Sequence, residues 1–270
     1  MSMGSQQKKL STLFPPSRTA LYCTFSAPFK SKDAYNPASN LYTNVVGYST
    51  VTAKKDAWLL TAVQFEGVDG NDALLSDLIK GDYQAVEFDE DEQYLDTAPH
   101  VMIPSASGYS DFFYINFEDE DFWFDASAGG PDEGTPIAAG TGIWFKQSGN
   151  DCAVTFAGQV VSDSSVPVSA TANTWNLISN PYPIAAAISG VTYTGIKSVE
   201  FDEDEKYLET APHMMVPSAD GYADFFYINF EDEDFWFDAG AGGPDEGATL
   251  PVGAGFWFKA ATDVTITFTK

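Results

Sequence analysis

The chain has 270 residues, of which 39 are acidic and 13 are basic, so its formal net charge at neutral pH is -26. Nucleic acids and anionic membrane surfaces both bind basic patches, and a chain with one arginine and scattered lysines has none, which excludes both as partners. Hydrophobic residues make up 44% of the chain and aromatic residues 15%, which predicts folded cores rather than a disordered acidic protein.

The first 44 residues are rich in Ser, Pro, Asn and Lys, and they predict an N-terminal extension or arm. Lys8 and Lys9 precede apolar residues as in an export signal, but Pro15, Pro16 and Arg18 interrupt the stretch. We therefore expect an atypical leader or an altered terminus. No apolar run is long enough to span a bilayer, so membrane insertion is not expected.

After the extension, short runs rich in aromatic and β-branched residues alternate with clusters of Gly, Pro, Asp and Asn, which predicts strands joined by short turns. The clearest runs are residues 58–65, 112–117, 122–124, 143–146 and 154–156. The only predicted helix covers residues 72–80, where leucine and isoleucine recur at helical spacing. The pattern indicates an all-β protein.

The sequence repeats itself. Residues 86–134 and 199–247 differ at only seven of 49 positions. The repeat extends to GTGIWFK at residues 140–146 and GAGFWFK at 253–259, and upstream Trp58 aligns with Trp175. Such self-similarity predicts two copies of one structural unit.

We accordingly predict two tandem homologous β-sandwich domains, or small barrels, related by internal duplication. The predicted domains are residues 45–161 and 162–270, which follow the extension at residues 1–44. The boundary lies in the Ser- and Asp-rich stretch at residues 162–165.

A pair of motifs in the second copy supports this interpretation. WNLISNPYP starts at Trp175, and GAGFWFK starts at Gly253 about 75 residues later. The pair resembles motifs in the tandem β-repeat modules of bacterial secreted and cell-surface proteins. The resemblance implies an exported, non-catalytic β module and supplies no catalytic residue. The first copy keeps the second motif and only a weaker form of the first.

The negative charge is concentrated in the repeat, because residues 86–134 and 199–247 hold 29 of the 39 carboxylates. If the two acidic runs of one copy lie close together, the mutual repulsion of their carboxylates requires solvation or a bound cation. Calcium suits such a site, since it takes six to eight oxygen ligands. The candidate ligands are Asp89, Glu90, Asp91, Glu92, Glu118, Asp119, Glu120, Asp121, Asp202, Glu203, Asp204, Glu205, Glu231, Asp232, Glu233 and Asp234.

Two alternatives to calcium binding stay open for these carboxylates. Charge runs commonly form solvated faces, and neither run has the spacing of an EF-hand loop. Paired carboxylates also occur in glycosidases, but the acids here are consecutive rather than single and embedded. No nucleophile, metalloprotease or phosphate-loop motif is present, so we expect no enzymatic activity.

The histidines and cysteines give no metal site. His100 and His213 each precede an apolar run, and one histidine per copy predicts a structural role at the start of a strand. Cys23 and Cys152 have no zinc-ligand spacing, so free thiols or one disulfide between them are both possible.

Aromatic side chains predict a second kind of site, a carbohydrate-stacking face beside the acids. The candidate residues are Tyr109, Phe112, Phe113, Tyr114, Phe122, Trp123 and Trp144, with Tyr222, Phe225, Phe226, Tyr227, Phe235, Trp236 and Trp257 in the second copy. Because successive strand residues point to opposite faces, only some of them can lie in one core unless both faces are covered.

The sequence thus favours a non-catalytic, exported structural or adhesive protein at the cell surface or outside the cell, which serves as a surface, matrix or fibre subunit and has calcium at its acidic loops. A carbohydrate-binding module that uses the repeated aromatic and acidic residues is the first alternative, and a virion or other particle component is the second. We expect self-assembly through the N-terminal arm or through strand edges, and a polysaccharide is a further candidate partner.

Overall fold

The computed structural model describes residues 45–68, 70–89, 94–202 and 206–270. It is built from β-strands with a few helices of four residues or fewer, which confirms the predicted all-β class. The predicted N-terminal arm, Cys23 and six of the predicted calcium ligands lie outside the described residues. Those ligands are Glu90, Asp91, Glu92, Glu203, Asp204 and Glu205.

Within its described residues, the first copy contains thirteen strands and two short helices. In chain order they are β1 (Val46–Ala53), β2 (Trp58–Ala62), β3 (Phe65–Glu66), β4 (Ala73–Leu74), α1 (Leu75–Leu78), β5 (Ile79–Gly81), β6 (Val86–Glu87), α2 (Tyr94–Thr97), β7 (His100–Ser105), β8 (Gly108–Phe117), β9 (Glu120–Asp125), β10 (Gly130–Pro131), β11 (Pro136–Ile137), β12 (Gly142–Lys146) and β13 (Cys152–Val160).

The second copy repeats this order with small changes. Its elements are β14 (Ser165–Ala170), β15 (Asn176–Ser179), β16 (Ala186–Ala187), a 3-10 turn (Ile188–Gly190), β17 (Thr192–Thr194), β18 (Val199–Glu200), α3 (Tyr207–Thr210), β19 (His213–Ser218), β20 (Gly221–Phe230), β21 (Glu233–Asp238), β22 (Gly243–Pro244), β23 (Thr249–Leu250), β24 (Gly255–Lys259) and β25 (Val264–Thr269).

Each copy has a small sheet and a large sheet. In the first copy β13 lies between β1 on one side and β3 and β5 on the other, and the large sheet runs β10-β9-β8-β7-β12-β2. The second copy has the equivalent sheets β14-β25-β17 and β15-β24-β19-β20-β21-β22. These sheets are open, so of the two predicted architectures the sandwich fits the structure.

The alternation of side chains along the strands explains the core. In β12, Ile143 and Phe145 are buried between the two sheets, whereas Trp144 and Lys146 point to the outer face of the large sheet. Phe112 in β8 also enters this core, and its neighbour Phe113 points outward. One face of each large sheet therefore forms the main core of its copy.

A second apolar cluster covers part of the outer face. Tyr94 of α2 and Phe88 pack on Phe113, Ile115 and Phe124 of the large sheet. An equivalent cluster surrounds Tyr207 in the second copy. Phe88 and α2 therefore cover part of the outer face of the large sheet. For this reason Phe112 on the inner face and Phe113 on the outer face are both buried.

The two copies contact each other through equivalent residues. The Ala62 amide donates to the Gly253 carbonyl at 3.3 Å, and the Ser179 amide donates to the Gly140 carbonyl at 2.7 Å. Gly140 and Gly253 occupy the same place in the two copies, as do Ala62 and Ser179. Each copy therefore binds the other with the same residues, as in a two-fold symmetric dimer.

The connection between β3 and β6 differs from the predicted helix, and it also differs from the equivalent connection of the second copy. The helix predicted at residues 72–80 is only the four residues of α1, because the flanking residues pair as β4 with β11 and as β5 with β13. The second copy has a 3-10 turn there.

No helix in the described part of the chain is long and apolar enough to cross a membrane. The domain boundaries at 45–161 and 162–270 stay a prediction.

Candidate functional site

The acidic hairpin joins β8 to β9 through a two-residue turn. Glu118 and Asp119 form the turn with φ of 53° and 66°, and Glu231 and Asp232 repeat it with 53° and 67°. Two consecutive left-handed residues match the right-handed twist of the flanking strands. The tip is therefore narrower than predicted, because Glu120 already begins β9 and Asp121 pairs with Asn116.

Carboxylates at the base of the hairpin accept local hydrogen bonds. The Asn116 amide donates to Asp121 at 2.6 Å, and the Asn229 amide donates to Asp234 at 2.7 Å. Asp234 also accepts a hydrogen bond from the Ser198 hydroxyl. These bonds from Asn229 and Ser198 hold the pKa of Asp234 below its usual value. Asp121 and Asp234 thus stabilise the hairpins.

The start of the first acidic run lies beside this hairpin. β6 runs parallel to β8, and the Phe88 amide donates to the Asn116 carbonyl at 2.9 Å. Asp89 follows directly and accepts a hydrogen bond from the Tyr94 amide at 3.1 Å. The second copy repeats the parallel pairing, and there Asp202 accepts from the Lys206 amide.

The described residues do not form a metal site by themselves. Among them, no group of three or more His, Cys, Asp and Glu side chains is arranged to hold a metal ion. Ten of the predicted ligands lie within the described residues: Asp89, Glu118, Asp119, Glu120, Asp121, Asp202, Glu231, Asp232, Glu233 and Asp234. Calcium binding therefore stays a prediction.

A row of four tryptophans lies on the outer faces of the large sheets. The ring centroids of Trp58 and Trp144 are 6.2 Å apart, those of Trp144 and Trp257 are 6.4 Å apart, and those of Trp257 and Trp175 are 6.4 Å apart. Trp144 and Trp257 are equivalent residues, so the row crosses the junction between the copies at its midpoint. Trp175 at one end is 39% exposed.

Polar side chains surround the row in both copies. The amines of Lys146 and Lys259 lie 5.9 Å from the ring centroids of Trp58 and Trp175. The other flanking residues are Tyr109, Asp111, His100, Tyr222, Asp224 and His213, and together with the tryptophans and lysines they form what we call the tryptophan face.

The two histidines hold the carboxylates of the face in place. His100 begins β7, and its Nε2 lies 2.8 Å from Asp111 Oδ1. His213 and Asp224 repeat the pair at 2.7 Å. Burial lowers the pKa of both histidines, and the hydrogen bonds to Asp111 and Asp224 only partly oppose this effect. Each ring also stacks on a buried phenylalanine, Phe113 or Phe226.

Most residues of the predicted carbohydrate-stacking set are therefore wrong, because they do not lie on the tryptophan face. Trp123 and Trp236 are each only 4% exposed and lie in the sandwich cores, and Phe112, Phe113, Phe225 and Phe226 are buried as well. Tyr114 and Tyr227 pack against the cores, while Phe122 and Phe235 pack against the outer clusters. Of the predicted set, Tyr109, Trp144, Tyr222 and Trp257 lie on the tryptophan face.

Sequence reasoning missed Trp58 and Trp175 as members of this face. The available signal was the two-residue alternation of side chains, which places Trp144 and Lys146 on the same face of β12. In the neighbouring strand β2, Trp58 pairs with Lys146 and Leu60 pairs with Trp144, so Trp58 lies on that face as well. Residues that pair across strands share a face, but the pairing of β2 with β12 joins segments about 85 residues apart. The sequence pattern alone did not fix that pairing.

A groove of about 1120 Å³ lies elsewhere, between the connection of the first copy and the start of β14. Glu66, Asp72, Asp77 and Asp163 line it. Burial raises the pKa of Glu66, and the neighbouring charges of Asp163 and Asp72 raise it further. The groove is therefore acidic, whereas the tryptophan face carries charges of both signs.

Comparison of the chain with protein-family models, with curated proteins and with solved structures gave no match.

Proposed function

We propose that this protein is a non-catalytic structural or adhesive protein of the cell exterior, and that it attaches to a neutral polysaccharide through the tryptophan face. The observation that carries this proposal is the unbroken row of four indole rings across the junction of the two copies. The export part of the proposal is supported by the motif resemblance to secreted β-repeat modules.

The charges of the face favour an uncharged ligand. Asp111 and Asp224 are balanced by Lys146 and Lys259, so the face is close to neutral at pH 7 while the whole chain carries -26. An anionic polymer would be repelled by the rest of the protein. A neutral sugar chain offers apolar C–H faces to the indole rings and hydroxyl groups to the carboxylates, amines and phenols.

Duplication suits a polymeric ligand. Each copy contributes two tryptophans, one lysine and one His–Asp pair to a single surface. A ligand that is long enough contacts both halves at once, and the second contact is then intramolecular, which raises the overall affinity.

Retention on insoluble polysaccharides tests this function. Purified protein should cosediment with at least one neutral polymer from a panel that contains cellulose, chitin and mannan. Trp175→Ala should weaken retention by about three- to tenfold, because it removes the most exposed ring of the row.

Phe230→Ala is the matched control for this experiment. Phe230 is a 45% exposed aromatic residue of the same copy, but it lies at the acidic end of β20, away from the row. Retention of this variant should equal that of the wild type. No retention on any neutral polymer, or equal weakening by both substitutions, would contradict the proposed ligand.

The proposed function includes calcium at the acidic loops as a stabilising ion. Support comes from the parallel pairing of β6 with β8, which brings Asp89 to the end of the sheet where Glu118 and Asp119 form the turn. Of the other predicted ligands of this copy, Glu120 and Asp121 begin β9, and Glu90, Asp91 and Glu92 lie outside the described residues. Extracellular modules bind calcium at about 10⁻⁴ to 10⁻³ M.

Thermal unfolding with different salts tests the calcium part separately. At about ten times its dissociation constant, calcium would add about 1.4 kcal/mol per ion to the free energy of unfolding. Millimolar calcium should therefore raise the melting temperature more than sodium or magnesium chloride at the same ionic strength. An equal rise in all three salts would indicate charge screening alone.

Self-assembly also belongs to the proposed function. The third predicted class, a virion or particle component, has no specific observation in its favour.

A further inference from the structure

The edge strand β1 is paired on one side only. All eight of its residues pair with β13, from Val46 opposite Gln159 to Ala53 opposite Cys152. Among the described residues, no strand pairs with its other edge. At about 3.4 Å per residue this edge is about 27 Å long.

The direction of the backbone groups follows from one hydrogen bond. The Val160 amide donates to the Val45 carbonyl, so residues 45, 47, 49, 51 and 53 direct their backbone groups toward β13. In an antiparallel ladder the direction alternates. The amide and carbonyl groups of Val46, Tyr48, Thr50 and Thr52 therefore face the open edge.

The equivalent strand of the second copy is protected. β14 pairs with β25 in the same way, but Pro167 occupies the place that Thr50 has in β1. The Lys270 amide donates to the Ser164 carbonyl, so Pro167 lies at a position that faces the open edge. Proline cannot donate a hydrogen bond there, and natural proteins use it to block edge pairing.

Other outer strands of the sheets offer no comparable edge. β10 and β22 have two residues each and contain Pro131 and Pro244. β2 and β15 lie against the opposite copy through the Ala62 and Ser179 hydrogen bonds. Within the described ranges, β1 is the long edge that carries neither proline nor charge.

We infer that β1 is an assembly edge, at which two molecules of this protein pair antiparallel, β1 against β1, to form one continuous sheet. This inference does not depend on what the tryptophan face binds.

The composition of β1 supports a second copy of the same chain as the occupant. The net charge of -26 opposes association over most of the surface, but β1 contains no charged residue, so no like charges meet across the pair. Val46 and Tyr48 are 58% and 47% exposed. Pairing Tyr48 with Thr50 of the partner, and Val46 with Thr52, would place a partner side chain beside each and reduce its exposure.

The expected association is concentration-dependent rather than permanent. Pairing of one eight-residue edge buries less surface than the roughly 1,200 to 2,000 Å² of a stable interface. The pair is self-complementary, so it closes as a dimer with two-fold symmetry. The tryptophan faces of both molecules would remain available.

The second copy supplies the test substitution, Thr50→Pro. It removes one amide that faces the open edge, and Pro167 shows that the fold accepts proline at this place. Thr50→Val is the matched control, because both variants lose the hydrogen bond between Thr50 and Thr155 but valine keeps the amide.

Sedimentation velocity of the full chain over a hundredfold concentration range is the measurement. We expect a monomer–dimer equilibrium for the wild type and for Thr50→Val, and at least tenfold weaker dimerisation for Thr50→Pro at an unchanged melting temperature. A wild type that is monomeric throughout, or a Thr50→Pro variant that dimerises as well as Thr50→Val, would overturn the inference.

Amide hydrogen exchange of the wild type keeps the test decisive if Thr50→Pro fails to fold. Protection of the Tyr48 and Thr50 amides should increase with protein concentration, as pairing in trans requires. Protection that is already complete at low concentration would mean that another segment of the same chain covers the edge. Exchange that stays fast at every concentration would leave the edge open. Either result would overturn the inference.

Discussion

The two copies are nearly identical in one region and different in another. Residues 86–134 and 199–247 share the short acidic turn, the His–Asp pair and the outer apolar cluster, with distances that agree within about 0.1 Å for the His–Asp contact. The edge strands differ, since β1 has Thr50 where β14 has Pro167. The connections also differ, with α1 in one copy and a 3-10 turn in the other.

The shared and divergent regions have different roles, because the shared region contributes to the tryptophan face and the divergent edge strands decide which sheet edge is open. The shared region supplies the histidine, tyrosine and aspartate of the tryptophan face in each copy, while its tryptophans and lysines lie outside that region at equivalent positions. Both copies therefore contribute the same chemistry to the face. The divergent regions lie at edges, where one copy can be open while the other is blocked. A pair of near-identical units therefore need not have identical contacts.

The largest expected effect concerns the junction, where the copies should behave alike. A Cβ atom at Gly142 would lie 2.8 Å from the Leu177 side chain and 3.2 Å from the Ile178 carbonyl, and one at Gly255 would lie 2.9 Å from the Leu60 side chain and 3.2 Å from the Thr61 carbonyl. Gly142→Ala and Gly255→Ala should each lower the free energy of unfolding by about 1–3 kcal/mol in urea titrations.

Gly130→Ala is the control for the junction, because a Cβ atom there meets nothing within 4 Å. It should change the free energy of unfolding by less than about 0.5 kcal/mol. If only one of the two substitutions, Gly142→Ala or Gly255→Ala, lowers the free energy of unfolding, the two copies do not make equivalent contacts at the junction.

The next effect concerns the two histidines and the pH. Because burial lowers the pKa of His100 and His213 below the ordinary value of 6.5, the unfolded chain takes up protons more readily than the folded protein as the pH falls. The free energy of unfolding should therefore decrease below about pH 6.5, with a slope of at most about 1.4 kcal/mol per pH unit for each histidine.

The variant His100→Gln with His213→Gln isolates this contribution. The other carboxylates titrate in both proteins, so the difference between wild type and variant in urea unfolding between about pH 7.5 and 5 reports the histidines together with their contacts to Asp111 and Asp224. Each single variant should remove about half of the pH-dependent difference in the free energy of unfolding, because the two histidines have equivalent partners in the two copies. A difference that does not change with pH would show that the histidines are not held neutral by folding.

The smallest expected effect concerns the acidic turn. Glu118 and Asp119 have left-handed backbones, which residues with a Cβ atom adopt at a cost of about 1–2 kcal/mol each, whereas Asn-Gly is favoured in such turns. Glu118→Asn with Asp119→Gly should therefore raise the free energy of unfolding by about 1 kcal/mol without calcium. The same change at Glu231 and Asp232 should give the same gain.

The same variant also tests whether the turn carboxylates bind calcium. If the turn carboxylates are ligands, the variant should lose part of the stabilisation by calcium while it gains stability in calcium-free buffer. Unchanged stabilisation by calcium would remove Glu118 and Asp119 from the ligand set.

Local pattern was sufficient for the all-β class and for most strand positions. Runs such as residues 112–117 and 143–146 fall within β8 and β12, because aromatic and β-branched residues favour the extended conformation of a strand. The histidines at the strand starts were also recognisable. The predicted helix at residues 72–80 failed because pairing of β4 and β5 with distant strands outweighed local helical spacing.

The membership of the tryptophan face was beyond local pattern. Alternation shows that Trp123 and its neighbours point to opposite faces, but not which face meets the second sheet and which meets α2. Trp123 enters the main core and Phe124 packs in the outer cluster. The contact of Trp144 with Trp257 depends on the junction between the copies, and no short stretch of sequence encodes that junction.

The most direct test of the tryptophan face is oxidative footprinting of the six tryptophans, read by mass spectrometry, with and without a saturating neutral polysaccharide. Trp58, Trp144, Trp175 and Trp257 should be oxidised in the free protein and protected together by the ligand, while the buried Trp123 and Trp236 should be slow to react in both states. Ligand binding that leaves the reactivity of those four rings unchanged would contradict the account.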